Sequence, residues 1–334
     1  MLLQISHATT LTYSDLIAET IMELRVAPRQ SDDQLRFAFT LGLGPAANAT
    51  SYSDWLGNLV YVFSINPMHR NVQIVASSIV ETHRKVPDLM ALADTWPLPP
   101  LEYALYDYLQ FSGPVEDSSE LRSLVSLLGP SDGMSLGTLV MQILRLIHTQ
   151  FTYEKGATGV STPITEVLKH GRGVCQDFTH LMIGIARVLG IPARYVSGII
   201  HSGNSSLRGA AQTHAWCELY FPSGGWVGLD PTNNALVDDR FVTVAVGRDY
   251  RDVPPNRGVY KGKAKETIAV EVTTTALTSL PHHLAGERIQ PLGVPTYSEP
   301  PAPTALRLRQ LEEQQQQQQQ EREGRLHQQQ QQQQ

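Results

Sequence analysis

The sequence predicts an α+β protein: an N-terminal all-β, sandwich-like domain, a second domain in which a helix packs on an antiparallel sheet, and a disordered C-terminal tail. Three observations lead to this fold class. Short β-type segments fill residues 1–85, helical patterns continue to about residue 189, and β-type segments return afterwards. Helices followed by a run of strands are typical of α+β folds and differ from alternating βαβ units. The length of 334 residues also exceeds what one hydrophobic core usually fills, which favours two domains.

The first 85 residues consist of short segments that are rich in β-branched residues and separated by Pro, Gly, Asn and Asp. Leu35, Phe37 and Phe39 alternate with polar residues, which is the period-two pattern of a half-buried strand. We therefore expect an antiparallel sandwich or barrel-like module in this part of the chain. Its predicted strands are QISHATTLTY, IMELRVAPR, LRFAFTLGLG, NLVYVFSI and VQIVASSIVET.

Helical patterns occupy the middle of the chain. WPLPPLEYALYDYLQFSG and SSELRSLVSLLG, the second capped by Ser118 or Ser119, predict a helical connector over 86–135. The second domain, 136–278, begins with the predicted helix LGTLVMQILRLIHTQF, and STPITEVLKHG predicts another helix that ends at Gly171. Strands are then expected near ARYVSGII, THAWCELYF, GWVGLDP, FVTVAVG and ETIAVEVTTTAL.

The C-terminal segment 279–334 is rich in proline and then in glutamine. Polar tracts of this kind bury too little apolar surface to offset the entropy lost on ordering. We therefore expect this tail to be disordered and to carry no catalytic chemistry.

Composition and charge argue against several classes of function. The net charge is -6 and the pI about 6.0, without a basic block, which argues against nucleic acid as a partner. No apolar run approaches the roughly 18 residues of a membrane-spanning helix, and the start MLLQISHATTLTYSDL lacks the features of a secretory signal. Two cysteines cannot form a disulfide framework. We expect a cytoplasmic protein without a membrane partner, and the sequence leaves its oligomeric state open.

Cys175 lies at the start of a predicted amphipathic helix, directly after a Gly-Arg-Gly tripeptide and Val174. Unpaired N–H groups and the helix dipole at a helix N-terminus favour a negative charge, and therefore a thiolate. The same N–H groups can donate to a developing oxyanion. An isolated cysteine is nevertheless most often a small buried hydrophobe. Cys175 alone therefore does not decide between a nucleophile and a core residue.

His214 and Asp230 lie on two predicted strands that the turn PSGG joins into a hairpin. Because the strands of a hairpin lie side by side, the two side chains can meet across the pair. An imidazole that acts as a base needs such a carboxylate to orient it. Taken singly, His214 is more typical of a core histidine and Asp230 of a turn residue. Together with Cys175 they make a set of nucleophile, base and orienting group.

A zinc site is the alternative that uses the same atoms. Cys175 and His180 have the spacing C-x4-H, and His214 and Cys217 have the spacing H-x2-C. Five residues along a helix or three along a strand turn the second side chain away from the first, so tetrahedral ligation is unfavourable. The alternation of THAWCELYF places Cys217 on an apolar face, which predicts a core residue. We expect no metal site.

GRGVCQDFTHLMIGIARVLGIPARYVSG and THAWCELYFPSGGWVGLDPTNN resemble the core of transglutaminase-like proteins, whose fold is related to papain-like cysteine peptidases. The β-type N-terminal segment and GRDYRDVPPNRGVYKG resemble a prokaryotic subgroup with an N-terminal β-domain, so the resemblance covers roughly residues 1–275. It implies Cys175 as nucleophile, His214 as general base and acid, and Asp230 as the orienting carboxylate.

The resemblance implies acyl transfer from a protein or peptide amide through a thioester. The sequence has no calcium loop of the D-x-[DN]-x-[DN]-G type, and we expect no cofactor. Hydrolysis by a peptidase or amidase is the outcome we favour by analogy. The alternatives are transamidation, which cross-links proteins, and a non-catalytic scaffold that recruits partners. Gln150 is the candidate for the second oxyanion donor, and Trp216 and Trp226 are candidates for the cleft walls.

Overall fold

The structure, a computed structural model, describes residues 1–203, 207–208, 213–284 and 286–297. Its N-terminal part is an all-β, sandwich-like domain, as predicted. β5 lies between β2 and β1, and β4 lies between β1 and β3. These strands are β1 (Leu2–Leu24), β2 (Gln34–Gly44), β3 (Ala49–Ser53), β4 (Leu59–Ile65) and β5 (His69–Thr82).

β1 is one long strand where the sequence predicts two. Its register with β5 shifts between Thr12 and Ile17, and from Thr20 to Leu24 it pairs with β4 instead. Glu19 has a φ of 51°, so the backbone bends without leaving the sheet. The polar residues around this bend resemble a loop in the sequence, although apolar residues on both sides of it face the same core. That core includes Leu11, Tyr13, Ile17, Met22, Phe39, Phe63 and Val72.

In the order of the sequence, the helices lie between the two main groups of strands. Ser118 caps α1 by accepting a hydrogen bond from the N–H of Leu121, and Gly171 ends α3 with a φ of 66°. Residues Tyr103–Leu109 form a 3₁₀ helix rather than an α-helix, and they bury only Leu105. In chain order the elements are β6 (Thr95–Trp96), α1 (Ser119–Ser126), β7 (Met134–Ser135), α2 (Leu136–Gln150), β8 (Thr152–Tyr153), α3 (Ile164–His170), β9 (Arg172–Gly173) and α4 (Cys175–Val188). None of the helices in the described residues is long and apolar enough to cross a membrane.

An antiparallel sheet carries α4, as the sequence predicts. Its strands are β10 (Ala193–Ile200), β11 (Thr213–Phe221), β12 (Gly225–Asp230), β13 (Ala235–Leu236) and β14 (Phe241–Gly247). Their order is β13-β12-β11-β10-β14. One buried cluster joins the helices to this sheet, and it includes Leu139, Ile143, Phe178, Leu181, Ile185, Cys217 and Leu219.

The C-terminal strands return to the N-terminal sheet, which the sequence does not predict. β15 (Asn256–Lys261) and β16 (Glu266–Ala276) both pair antiparallel with β1, although they fall in the segment predicted as part of the second domain. β17 (Arg288–Pro291) pairs parallel with β2, so the prediction of disorder from residue 279 is wrong for these residues. Residues 298–334 of the predicted tail lie outside the described residues. The domain boundaries at 85, 135 and 278 stay predictions.

Two buried amide side chains of the first domain bind the outer edge of β14. The Gln34 amide donates to the carbonyl of Thr243 and accepts from its N–H, both at 2.8 Å. The Asn58 amide does the same with Val246, also at 2.8 Å. Each amide thus replaces one residue of a neighbouring strand, so the N–H and carbonyl groups of Thr243 and Val246 are satisfied.

Candidate active site

Cys175 is the first residue of α4 and is partly exposed. The turn before it is held from within the helix, since Asp177 Oδ2 accepts the N–H of Val174 at 2.7 Å and the hydroxyl of Thr158 at 2.5 Å. Gly173 must be glycine because a Cβ there would lie 2.8 Å from Asp177. Cys175 thus lies at the N-terminal end of α4, where the first N–H groups of a helix have no partner within it, and solvent can reach its side chain.

His214 and Asp230 meet across the β11–β12 hairpin. The imidazole Nε2–H donates to Asp230 Oδ2 at 2.8 Å, and the two side chains are fully buried. His214 Nδ1, the other ring nitrogen, has no hydrogen-bond partner in the part of the chain that the structure describes. An imidazole held at Nε2 by a carboxylate thus keeps Nδ1 available for a proton transfer.

The Asp230 carboxylate is held in place by the turn that follows β12. Its Oδ1 accepts the N–H groups of Thr232 at 2.9 Å and of Asn233 at 3.2 Å. Its Oδ2 accepts the side-chain amide of Asn233 at 2.7 Å in addition to the imidazole of His214. Because every oxygen is bound, the carboxylate has one orientation towards the imidazole.

The electrostatics of this group favour a protonated imidazole. Burial alone would lower the pKa of His214. The charge of Asp230, its hydrogen bond, and the nearby Cys175 outweigh this effect and raise that pKa to about 10. The charge of Cys175 contributes to this rise in the same direction as that of Asp230. At neutral pH the imidazole of His214 therefore carries a proton that it can donate.

Trp216 is not a wall of an open cleft, contrary to the prediction. Its side chain is fully buried among Val196, Val237 and Phe241. It covers Gly198, where a Cβ would lie 2.2 Å from the indole ring. Its ring centroid lies 6.3 Å from that of His214, two residues before it on the same face of β11. Trp216 therefore supports the imidazole from inside the protein.

Trp226 and Gln150 also lie away from the three residues. Trp226 packs its partly exposed ring on Tyr108 and under Arg194 Cζ, 4.3 Å away. Four residues separate it from Asp230 on β12, which corresponds to about 13 Å along a strand. Gln150 is exposed and lines a groove of about 720 Å³ between α1 and α3 to which none of the three residues contributes. Its assignment as an oxyanion donor is therefore not supported by its position.

The zinc alternative has no geometric support. His180 is buried, and its Nε2 accepts the N–H of Tyr250 at 3.1 Å. Cys217 is buried in the apolar cluster between α4 and the sheet, as the alternation predicts. In the residues that the structure describes, no group of three or more His, Cys, Asp or Glu side chains could hold a metal ion.

Residues near this site that the sequence analysis misses are Asn233, Tyr153 and Arg208. Asn233 could have been found, since an Asp-Pro-Thr-Asn sequence is typical of a turn closed by side-chain hydrogen bonds. Tyr153 and Arg208 carry no comparable signal. They come near the site only because β8 pairs with β9 and because the backbone of Arg208 binds the Asn233 side chain at 2.9 and 3.1 Å.

Comparisons with known proteins agree with this architecture. Residues 131–231 match the transglutaminase-like superfamily, and residues 3–81 match the bacterial transglutaminase-like N-terminal region. An uncharacterized protein of Mycobacterium tuberculosis is 34% identical over 287 residues, which cover 80% of this chain and 91% of that protein. A protein-glutamine gamma-glutamyltransferase of Pseudomonas aeruginosa is 28% identical over 126 residues, or 36% of this chain and 19% of that protein.

One solved structure shares most of the fold. It is the crystal structure of a candidate cysteine protease from Cytophaga hutchinsonii, with a TM-score of 0.70 and 23% identity. The match covers 85% of this chain and 94% of that structure. Both the β-domain and the helix-on-sheet core thus recur together in another protein.

Proposed function

Because the chain belongs to the transglutaminase-like superfamily, we propose that it is a cysteine enzyme that cleaves amide bonds of proteins or peptides. Cys175 is the nucleophile, His214 the general acid and base, and Asp230 the group that orients the imidazole. The observation that carries this proposal is the hydrogen bond of 2.8 Å from His214 Nε2 to Asp230. It leaves Nδ1 for the sulfur and the substrate.

The first half of the reaction forms a thioester. The Cys175 thiolate attacks the amide carbonyl carbon, and the carbonyl oxygen takes the negative charge while the C–S bond forms. The backbone N–H of Cys175, free at the start of α4, donates to that oxygen. The C–N bond then breaks, and the proton on His214 Nδ1 goes to the departing amine.

The second half releases the acyl group. His214 Nδ1, now neutral, takes a proton from water as the water oxygen attacks the thioester carbonyl. The C–S bond breaks, a carboxylic acid leaves, and the thiolate and imidazolium are restored. Asp230 keeps its charge throughout, which stabilises the imidazolium in both halves.

Water rather than a lysine amine is the acceptor that the surroundings favour. The exposed Arg208 guanidinium lies over the Tyr153 ring, with Cζ 5.7 Å from the ring centroid, and its backbone is bound to Asn233 beside Asp230. A positive charge at this position repels an incoming ammonium group, whereas it has little effect on water. Hydrolysis also needs no second binding groove that excludes water.

A specific observation favours transamidation as the second candidate function. The Pseudomonas aeruginosa relative is named as a protein-glutamine gamma-glutamyltransferase, and its match spans 126 residues. Both functions share the thioester and differ only in the acceptor. The experiment must therefore identify whether the acceptor is water or an amine.

The test offers both acceptors at once. The protein is incubated with peptide libraries that contain glutamine and with libraries that lack it. Each incubation is run with and without a primary amine, and the products are identified by mass spectrometry. Hydrolysis predicts new carboxylates or shortened peptides at equal rates with and without amine, whereas transamidation predicts amine adducts. Cys175→Ala should abolish either product.

The matched control is Cys217→Ala. It removes the buried thiol, which lies away from the triad, and should retain activity. Products that persist in Cys175→Ala would contradict Cys175 as the nucleophile. A wild-type protein that forms no product would favour a non-catalytic scaffold. The cytoplasmic location and the absence of nucleic-acid and membrane partners stay predictions.

A further inference from the structure

Tyr153 lies on the strand beside the segment that leads into Cys175. β8 and β9 pair in parallel, with Tyr153 opposite Gly173, two residues before the cysteine. The N–H of Thr152 donates to the carbonyl of Gly171 at 2.8 Å, and the N–H of Glu154 donates to that of Gly173 at 2.9 Å. These two bonds on either side of Tyr153 fix its backbone to the turn that positions the sulfur.

The Tyr153 ring has neighbours from both parts of the candidate site. It contacts the ring of Phe178, three residues after Cys175, edge to face with centroids 6.4 Å apart. Arg208 Cζ lies 5.7 Å from the same ring, and the Arg208 backbone binds the side chain of Asn233, which in turn binds Asp230. The phenol is therefore next to the helix end that carries the nucleophile and also next to the turn that carries the carboxylate.

The Tyr153 hydroxyl is free to donate. It makes no hydrogen bond to any residue within the described part of the chain, and the side chain is only half-buried. Burial raises the pKa of Tyr153, and the nearby charges of Cys175 and Asp230 raise it further against the opposing effect of Arg208. The phenol thus keeps its proton at any pH at which the enzyme would work.

An oxyanion that forms during acyl transfer needs more than one donor to be well stabilised. The backbone N–H of Cys175 is one, and Gln150 lies in a groove apart from the triad. We infer that Tyr153 is a catalytic residue whose hydroxyl donates the second hydrogen bond to the substrate oxyanion. This inference rests on the proposed acyl-transfer function. The hydroxyl transfers no proton, so it serves both the formation and the breakdown of the thioester.

Two reactions of the Cys175 sulfur can distinguish an oxyanion donor from a residue that only positions the sulfur. Attack on a carbonyl creates an oxyanion, whereas alkylation by iodoacetamide displaces iodide and creates none. Both reactions need the thiolate and the imidazole. A residue that only positions the sulfur affects both rates, while an oxyanion donor affects the first alone.

The experiment compares wild type with Tyr153→Phe, which removes a single oxygen atom. The rate of acylation is measured as the burst of nitrophenolate from p-nitrophenyl acetate, and kcat and KM are measured with the best peptide amide. The alkylation rate is measured separately with iodoacetamide. The control variant is Tyr220→Phe, another half-buried tyrosine, which packs on Trp226 far from the triad.

We expect Tyr153→Phe to lower the acylation rate and kcat by roughly 10²-fold, with KM and the alkylation rate within about 2-fold of wild type. Tyr220→Phe should match wild type in every measurement. Acylation of Tyr153→Phe within about 3-fold of wild type would overturn the inference, and so would a parallel loss of alkylation. A wild-type protein without any acyl-enzyme burst would instead overturn the proposed function itself, and the role of Tyr153 with it.

Discussion

His214 carries the charge on which the proposed chemistry depends. Burial favours the neutral ring, and the adjacent Asp230 carboxylate reverses that preference, so the pKa of His214 rises to about 10. The carboxylate itself is fixed by three hydrogen bonds from the turn at Thr232 and Asn233. The turn over residues 230–233 thus sets the charge state of the His214 ring.

The first prediction concerns this charge. In Asp230→Asn the burial remains but the negative charge is lost, so the pKa of His214 should fall from about 10 to 6.5 or lower. NMR titration of the labelled imidazole measures this directly. Wild-type His214 should stay protonated up to pH 8, whereas an unchanged titration in the variant would show that Asp230 does not control it.

The same shift has a consequence for stability. The folded pKa of His214 lies above its ordinary value of 6.5, so the folded state binds the proton more tightly than the unfolded state. The resulting stabilisation is fully present below pH 6.5 and is lost as the pH rises towards 10. The unfolding free energy of wild type should therefore decline across this range more steeply than that of Asp230→Asn.

A second prediction concerns Asn233, which holds both carboxylate oxygens of Asp230. Asn233→Ala removes a hydrogen bond of 2.7 Å to a charged group and should lower kcat about 10-fold, since such bonds contribute roughly 1.5–3 kcal/mol. The control is Asn234→Gly, because exposed Asn234 has a φ of 51° that glycine adopts freely. Equal kcat in the two variants would contradict the positioning role.

At the scale of elements, α4 is held at both of its ends. Its N-terminus is capped from within by Asp177, whose carboxylate binds Val174 and Thr158. Near its C-terminus the buried Arg187 guanidinium donates to four backbone carbonyls, those of Tyr108, Gln110, Ala193 and Arg248. Burial lowers the pKa of Arg187 to about 10, which still leaves it charged at neutral pH. The helix is thereby fixed to the 3₁₀ helix, to β10 and to the loop after β14.

The third prediction follows from these four bonds. Arg187→Met fills much of the same space but leaves the carbonyls unpaired, and it should lower the free energy of unfolding by about 3 kcal/mol. Urea unfolding measures the change. Arg145→Met on the exposed face of α2 serves as control and should stay within about 0.5 kcal/mol of wild type. A similarly small effect for Arg187→Met would show that the bonds contribute nothing net.

Elements with strong local signals could be predicted from the sequence. The helix that follows Cys175 has an apolar stripe, and Gly171 and Gly190 both adopt the left-handed conformation expected at helix ends. The segment WPLPPLEYALYDYLQFSG predicts a helix but does not specify its type, and the structure forms a 3₁₀ helix at Tyr103–Leu109 that buries only Leu105. β8 and β9 have two residues each, which is too short for any period to show.

At the scale of the whole molecule, the β-domain supports the sheet that carries α4 through the β14 edge of that sheet. Gln34 and Asn58 are fully buried, and each pairs with one residue of β14 through two hydrogen bonds. An apolar contact completes this interface, formed by Leu3, Ile5, Val80, Ile199, Val242, Val244 and Val272. The two halves of the chain are thus joined by specific polar pairs within an apolar contact.

A fourth prediction tests this interface. Replacing Gln34 and Asn58 by Ala removes four hydrogen bonds to β14, although the Thr243 carbonyl keeps the N–H of Arg29 at 3.0 Å. The loss should lower the unfolding free energy by about 2 kcal/mol per site. Hydrogen exchange of the Thr243 and Val246 amides should accelerate, because these amides donate to the two side chains. Gln4→Ala, on an exposed position of the same sheet, is the control. Unchanged exchange rates at both amides would show that the interface does not depend on Gln34 and Asn58.

The pairing of distant segments is what the sequence could not reveal. β16 pairs along the first half of β1 although more than 250 residues separate the partners Leu3 and Ala276. β17 follows the segment SLPHHLAGE, which falls in the tail predicted to be disordered, yet it extends the sheet beside β2. Strand pairing at such separations depends on tertiary fit rather than on local pattern. The meeting of His214 and Asp230 was predictable because a short hairpin brings them together.

The most direct test of the central account is the reactivity of the two thiols. Cys175 is partly exposed at the start of α4 and the proposed base His214 is protonated, whereas burial raises the pKa of Cys217 well above its usual value. Iodoacetamide labelling, followed by mass spectrometry at each residue between pH 6 and 9, separates them. The account predicts rapid labelling of Cys175 below pH 8, at least about 10-fold slower labelling of it in His214→Ala, and a protected Cys217. Slow and equal labelling of both thiols, or an unchanged rate in His214→Ala, would contradict it.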